Sequence, residues 1–315
     1  MCVSTAPAEF TGTILYLGRH THPEHGPVEV LGYQNTAVNL ADGPNAMLLH
    51  LPAAGAMTQA NFLNTADTPY ALRDLVDAVR PPVWAQGSGA VAAGEPRGVE
   101  VFDHDVYTVV LAADPRDIPA ALARVPEHKR PTIGDELFGF YARAFPGYPV
   151  AVCCFDNADA RRAAPLLLWY EPTFPDRLTA PALDAHSGAP PDPDAVVEAD
   201  HWVVIGLDDP PEGWGIPVRY RRDPGPLKPF LPARVIGREV AGTRLRNGDF
   251  VISLADARAG RVDGLARLTV TGEQVPLSAP APEESATRTW LRPVLFTFAV
   301  VLVTLFCGWF LIYGP

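Results

Sequence analysis

Nine short apolar runs rich in β-branched and aromatic residues follow one another along this chain. Each is bounded by Gly, Pro, Asn or Asp. They are Thr13 to Leu17, Val28 to Tyr33, Ala46 to Leu51, Val106 to Ala112, Val150 to Phe155, Leu166 to Tyr170, Trp202 to Leu207, Phe250 to Leu254 and Ala266 to Val270. Runs of this length and punctuation predict strands. Only three helical patterns interrupt them. One opens at Thr68-Pro69, carries Leu72, Leu75, Val76 and Val79 at helical spacing and stops at Pro81-Pro82. The second opens at Asp114-Pro115, with Ile118, Leu122 and Val125 inward. The third spans about Gly134 to Phe145, with Leu137, Phe138, Tyr141 and Phe145 on one side. A parallel α/β sheet needs a helix between most strands, so the pattern predicts an α+β domain built mostly of antiparallel sheets with about three helices.

At 315 residues and 48% hydrophobic, the chain has enough apolar surface for a real core. Its 34 prolines and 26 glycines lack a collagen repeat and indicate a loop-rich globular protein. A net charge of −11 with no basic stretch argues against nucleic-acid binding. No GxGxxG or P-loop pattern is present, and no cofactor is expected.

From Val294 to Tyr313 the chain runs uncharged through VLFTFAVVLVTLFCGWFLIY, long enough as a helix to span a bilayer. Arg288 and Arg292 precede it, and Trp290 and Tyr313 suit the two interfaces. The expectation is a single-pass, tail-anchored membrane protein whose N-terminal domain is cytoplasmic, since MCVSTAPAEF has no secretory character. Three parts follow from this: a folded domain over 1–275, a Pro/Ala-rich tether over 276–292 and the anchor over 293–315. The bilayer is then the expected partner, and Cys2, Cys153 and Cys154 are expected as reduced thiols. Tyr16 and Tyr33, and Cys153 and Tyr170, recur at one spacing, a faint echo that would divide the domain into duplicated halves near 1–130 and 131–275.

Cys2 is the sharpest chemical feature. Removal of the initiator Met would leave a residue carrying both a nucleophilic thiol and an α-amine able to accept its proton. The Met-Cys opening resembles that of the N-terminal-nucleophile hydrolases, such as the cholylglycine hydrolases and class II glutamine amidotransferases. That resemblance implies amide cleavage from a stacked αββα fold, with Cys2 as nucleophile. It also implies oxyanion donors, for which Asn45, Asn157, Gln34 and Tyr33 are candidates, and an Arg after the first strands, for which Arg19 is the candidate. The strings MCVSTA, LGYQNTA, GPNAMLLHLP, VAVCCFDN and DHWVVIG resemble those of a group of uncharacterised bacterial proteins, which implies one coherent domain and no particular activity.

RHTHPEHG places His20, His22 and His25 close together, a weak metal-site candidate without a matching ligand pair elsewhere. Asp103-His104-Asp105, Asp184 with His186, and Asp200-His201 each set a carboxylate beside an imidazole. An Asp-oriented His near Cys2 would complete a Cys/His/Asp arrangement. Two functions compete on these residues. The favoured one is a non-catalytic binding or scaffolding module at a membrane, and the alternative is an amide or thioester hydrolase using Cys2.

Overall fold

A computed structural model describes residues 3–6, 8–40, 42–80, 99–160 and 163–278. The strands in chain order are β1 (Val3–Ser4), β2 (Ala8–His22), β3 (Gly26–Leu40), β4 (Pro44–His50), β5 (Glu100–His104), β6 (Tyr107–Ala112), β7 (Val150–Asp156) and β8 (Leu166–Tyr170). There follow β9 (Arg177–Ala180), β10 (Val196–Leu207), β11 (Ile216–Pro217), β12 (Arg234–Arg246), β13 (Asp249–Ser253), β14 (Ala266–Leu268) and β15 (Gln274–Pro276). The α-helices are α1 (Ala71–Val79), α2 (Ile118–Leu122), α3 (Asp135–Ala144) and α4 (Leu254–Arg258).

The strands form a five-stranded sheet ordered β1-β4-β7-β6-β5, a six-stranded sheet ordered β11-β12-β10-β2-β3-β8 and a four-stranded sheet ordered β15-β14-β13-β9. Pairing is antiparallel throughout these ladders except between β2 and β10, where Thr13 to Arg19 run parallel to His201 to Leu207. Few helices and mostly antiparallel sheets make this an α+β protein. Strands from before and after residue 130 lie side by side in the first two sheets.

Alternation along each strand divides the apolar residues among three cores. The central one packs Met47, Leu49, Val109 and Cys153 of the five-stranded sheet against Leu15, Leu17, Val203 and Ile205 of the six-stranded sheet, with Leu178, Phe250 and Ile252 of the third sheet joining them. On the outer face of the first sheet, Leu48, Val110, Val152 and Cys154 meet Ile118, Leu122, Leu137, Phe138 and Tyr141 of α2 and α3. On the outer face of the second, Tyr16, Val30, Val204 and Val235 meet Leu72, Leu75 and Val76 of α1. The layers therefore succeed one another as helices, sheet, sheet, helix. Adjacent Cys153 and Cys154 are free thiols that serve different cores, as strand alternation requires.

The helix starts follow from local chemistry. Asp114 accepts the backbone N–H of Arg116 to open the turn leading into α2. α3 carries Asp135 and Glu136 in its first turn and Arg143 in its last, each sign matched to the nearby end of the helix dipole. The tether beyond residue 278 and the run Val294 to Tyr313 lie outside the described residues. Among those that are described, no helix is long and apolar enough to cross a membrane. Pro276 ends β15, and Leu277 after it is buried against the central core.

Candidate functional site

β1 is only two residues long, yet it is held on both edges. Val3 and Ser4 pair antiparallel with Leu48 and Met47 of β4. On the other side the segment after β9 passes alongside: the Ser4 N–H donates to the Ala185 carbonyl at 2.8 Å, and the Gly188 N–H donates to the Ser4 carbonyl at 3.2 Å. Gly188 has φ +71°, and a Cβ there would stand 2.8 Å from the Thr5 carbonyl oxygen, so this close approach needs glycine.

Asn45, near the start of β4, fastens the residues that follow β1. Its Oδ1 accepts the Thr5 N–H at 3.2 Å, the Thr5 hydroxyl at 3.1 Å, the Ala6 N–H at 3.0 Å and the Ala46 N–H at 2.8 Å. Its Nδ2 donates to Asn157 Oδ1 at 3.3 Å. The two asparagines expected as oxyanion donors thus do meet, beside the N-terminal segment. They meet as a fully buried fastening, with Asn45 completely inaccessible and Asn157 5% exposed. Pairing of Asn45 with Phe155 across β4 and β7 brings them together.

Two His/Asp pairs bracket β1. His186 Nδ1 lies 3.0 Å from Ser4 Oγ, its Nε2 lies 2.8 Å from Asp184 Oδ1, and the Ser4 hydroxyl donates to the Ala6 carbonyl at 3.1 Å. His50 Nε2 lies 2.7 Å from Asp249 Oδ2, and Asp249 Oδ1 accepts the Ala182 N–H at 2.9 Å. The His50 ring stacks on Phe145 at 3.8 Å between centroids, and its buried Nδ1 has no hydrogen-bond partner among the described residues. His50 also lines a cavity of about 10 Å³ with Val3, Tyr33, Tyr141 and Leu183, room for about one water.

Arg267 of β14 joins the two pairs electrostatically. It is 1% exposed, donates to the carbonyls of Arg246 and Ala182, and lies with its guanidinium 4.6 Å from the centre of the Phe250 ring. Burial lowers its pKa to about 10, against the pull of the Asp249 and Asp184 carboxylates. Among the described residues no carboxylate pairs directly with this arginine, and the two that act on it, Asp249 and Asp184, each also hold a histidine.

The other sequence candidates lie elsewhere. Cys2 lies outside the described residues; Val3, bonded to it, sits in the site. His20 turns inward to hydrogen-bond the Tyr16 hydroxyl at 2.6 Å, and burial lowers its pKa to about 4. His22 and His25 stack on one another at 4.5 Å, with His25 on Trp169 at 4.2 Å and His22 on Phe230 at 4.9 Å. Among the described residues, no cluster of His, Cys, Asp or Glu is arranged to hold a metal. Arg19 pairs with buried Glu29 in the six-stranded sheet, and burial raises the Cys154 thiol to about 12 and Cys153 further still. Asp103 accepts the Thr108 hydroxyl at 2.6 Å, and the His201 ring lies against Phe250. Of the Asp/His pairs read from the sequence, the structure brings Asp184 and His186 to the N-terminal segment. Ser4, His50, Asp249 and Arg267 went unread, because His50 and Asp249 stand 199 residues apart and no local pattern links them.

No protein family and no curated protein matches the sequence. Among solved structures, baculovirus P35 is similar over 87% of this chain and 98% of its own, at 11% identity and a TM-score of 0.41. A mutated baculovirus P35 after caspase cleavage is similar over 78% of this chain and 92% of its own, at 10% identity and a TM-score of 0.36.

Proposed function

We propose that this chain is a non-catalytic binding or scaffolding module whose working rim is the fastened N-terminal segment with the strap over residues 184–188. The observation that carries this reading is the Asn45 side chain. An oxyanion hole requires N–H groups left pointing at the place where charge will develop. Asn45 instead uses its carbonyl to gather donors from Thr5, Ala6 and Ala46 and turns its amide onto Asn157. That arrangement supports holding a segment in register for a partner to read. In this reading, attachment to a bilayer through Val294 to Tyr313, with the domain on the cytoplasmic side, rests on the sequence and serves to concentrate the module at a surface.

A second reading, amide or thioester hydrolysis with Cys2 as nucleophile, is favoured by one observation. The imidazole of His186, with Asp184 behind it, touches Ser4, two residues from Cys2. A His oriented by a carboxylate is the group that activates a thiol.

Intact-mass spectrometry of the full chain after brief exposure to a small thioester separates the two. The module reading expects no acyl adduct that depends on Cys2. A single fast adduct that disappears in Cys2→Ala and slows in His186→Ala would overturn it and make the hydrolase the function.

A further inference from the structure

His50 is 2% exposed, and among the described residues no group bonds its Nδ1. Its other nitrogen is engaged: Nε2 lies 2.7 Å from Asp249 Oδ2, and since a carboxylate oxygen accepts, Nε2 donates there. A neutral imidazole then presents a lone pair at Nδ1, and a charged one presents an N–H. Either of these left alone inside a protein costs the desolvation of a polar group, so buried atoms of this kind are normally answered by protein or by ordered water. The cavity beside the ring has the place and the size for such a partner. Asp249 at Nε2 and Phe145 stacked on one face do not line it, whereas Tyr141, tilted at 41° to the ring, does. His50 therefore reaches the cavity from the side away from Nε2 and Phe145, the side that includes Nδ1. Val3, Leu48, Leu49, Pro181 and Leu183 supply apolar wall, and Tyr33 and Tyr141 are the other residues there with a polar group. A volume of about 10 Å³ admits about one water and nothing larger. Because a water can donate to a lone pair and accept from an N–H, it answers Nδ1 in either form of the ring.

We propose that this cavity is a binding site for one structural water, held at His50 Nδ1 and closed over by Val3 of the N-terminal strand. The site goes beyond the functional reading above and does not depend on it. Its walls come from β1, β3, β4, α3 and the segment after β9, so a single molecule touches the elements that seat the N-terminal strand. Asp249 also accepts the Ala182 N–H at 2.9 Å, between two residues of the wall, Pro181 and Leu183. The polar contacts thus run from the water through His50 and Asp249 back to the segment that flanks β1. Val3 is 1% exposed and packs with the core on the outer face of the five-stranded sheet, so one side chain closes both an apolar core and a polar site.

A crystal structure of the full chain reads the site directly: one ordered water within about 3.2 Å of His50 Nδ1 is expected. An empty cavity overturns the proposal, and so does one filled by a side chain. Val3→Ile supplies a second reading, because its added methyl group takes the space of the water. Filling a dry cavity would leave stability unchanged or raise it. Displacing a water from Nδ1 orphans that atom, so the folding equilibrium constant from urea titration should fall about tenfold. Overpacking alone would also lower it, and Val3→Ile is therefore repeated in His50→Gln, whose amide can keep the contact with Asp249 and which has no Nδ1. There the cost of Val3→Ile should vanish. An equal cost in both backgrounds, or no cost in either, overturns the proposal.

Discussion

Arg19 and Glu29 are register partners across β2 and β3 and meet at 3.1 Å with side chains 9% and 3% exposed. The guanidinium also takes the carbonyls of Phe174, Pro175 and Arg177, while the carboxylate accepts the Thr179 N–H and the Tyr170 hydroxyl. One cross-strand pair therefore ties the six-stranded sheet to the segment leading into β9. Arg19→Met would leave those carbonyls without their donor, and Glu29 would answer the loss of its cation by taking up a proton. The expected loss is about 1–3 kcal/mol in urea unfolding at pH 7.

The same pair gives the protein an acid–base signature. Burial raises Glu29 from 4.5 to about 7 despite Arg19, so folding binds a proton between those values. Its contribution to stability is full below pH 4.5 and is lost as the pH rises through about 7. His20 has the opposite sense: lowered from 6.5 to about 4 by burial, it contributes fully above pH 6.5 and loses that contribution as the pH falls through about 4. Each is worth up to about 3 kcal/mol, and the two largely cancel. Urea midpoints of the natural chain should be nearly flat from pH 4.5 to 6.5. Glu29→Gln should become less stable toward acid, and His20→Gln less stable toward base. Identical profiles in all three proteins would mean that neither group is shifted.

Asn45→Ala removes the acceptor of the Ala6 N–H and the donor to Asn157. An orphaned buried polar group costs about 1–3 kcal/mol, and the Thr5 and Ala46 amides keep alternative acceptors. Global stability should fall by about 2 kcal/mol. Proteolysis near residues 3–6 should accelerate more than unfolding measured at Trp202, which lies in the six-stranded sheet.

Cys153 and Cys154 face separate cores with thiols pushed far above neutrality. Since the thiolate is the reactive form, iodoacetamide at pH 8 should leave both unmodified in the folded chain and label both in urea. Peptide mapping of the native protein that finds either one carboxymethylated would contradict the packing described.

Gly237→Ala in β12 would place a Cβ 2.8 Å from the Val203 carbonyl oxygen of β10. The obstacle is backbone in a ladder and cannot swing aside, so a loss of about 2 kcal/mol or more is expected by thermal unfolding, whereas an unchanged melting temperature would mean that β10 and β12 are not this close.

Much of the fold was legible because local pattern and tertiary environment agree. Leu166 to Tyr170 is a strand with the bounds read from its apolar run, and the three helical patterns became α1, α2 and α3. β12 was missed although it spans thirteen residues. Its sequence RVIGREVAGTRLR breaks its apolar positions with two glycines and five charged side chains, and its partner β10 supplies the order. β5 and β9 are too short and too polar to stand out. In the site, Asn45, Asn157, Asp184 and His186 were readable as chemistry-bearing types. Their roles were not, because a side-chain carbonyl fastening Thr5 and a carboxylate sensing Arg267 are relations across sheets. Sequence spacing carries no record of them.

The parallel union of β2 with β10 has a consequence for how the chain is made. Thr13 leaves the ribosome early, while His201, its partner in the ladder, follows roughly 190 residues later, about ten to forty seconds at ordinary synthesis rates. Throughout that interval β2 and β3 can close their hairpin, but the edge that β10 will occupy stays open and apolar. The newborn protein must keep that edge shielded until most of its length has emerged.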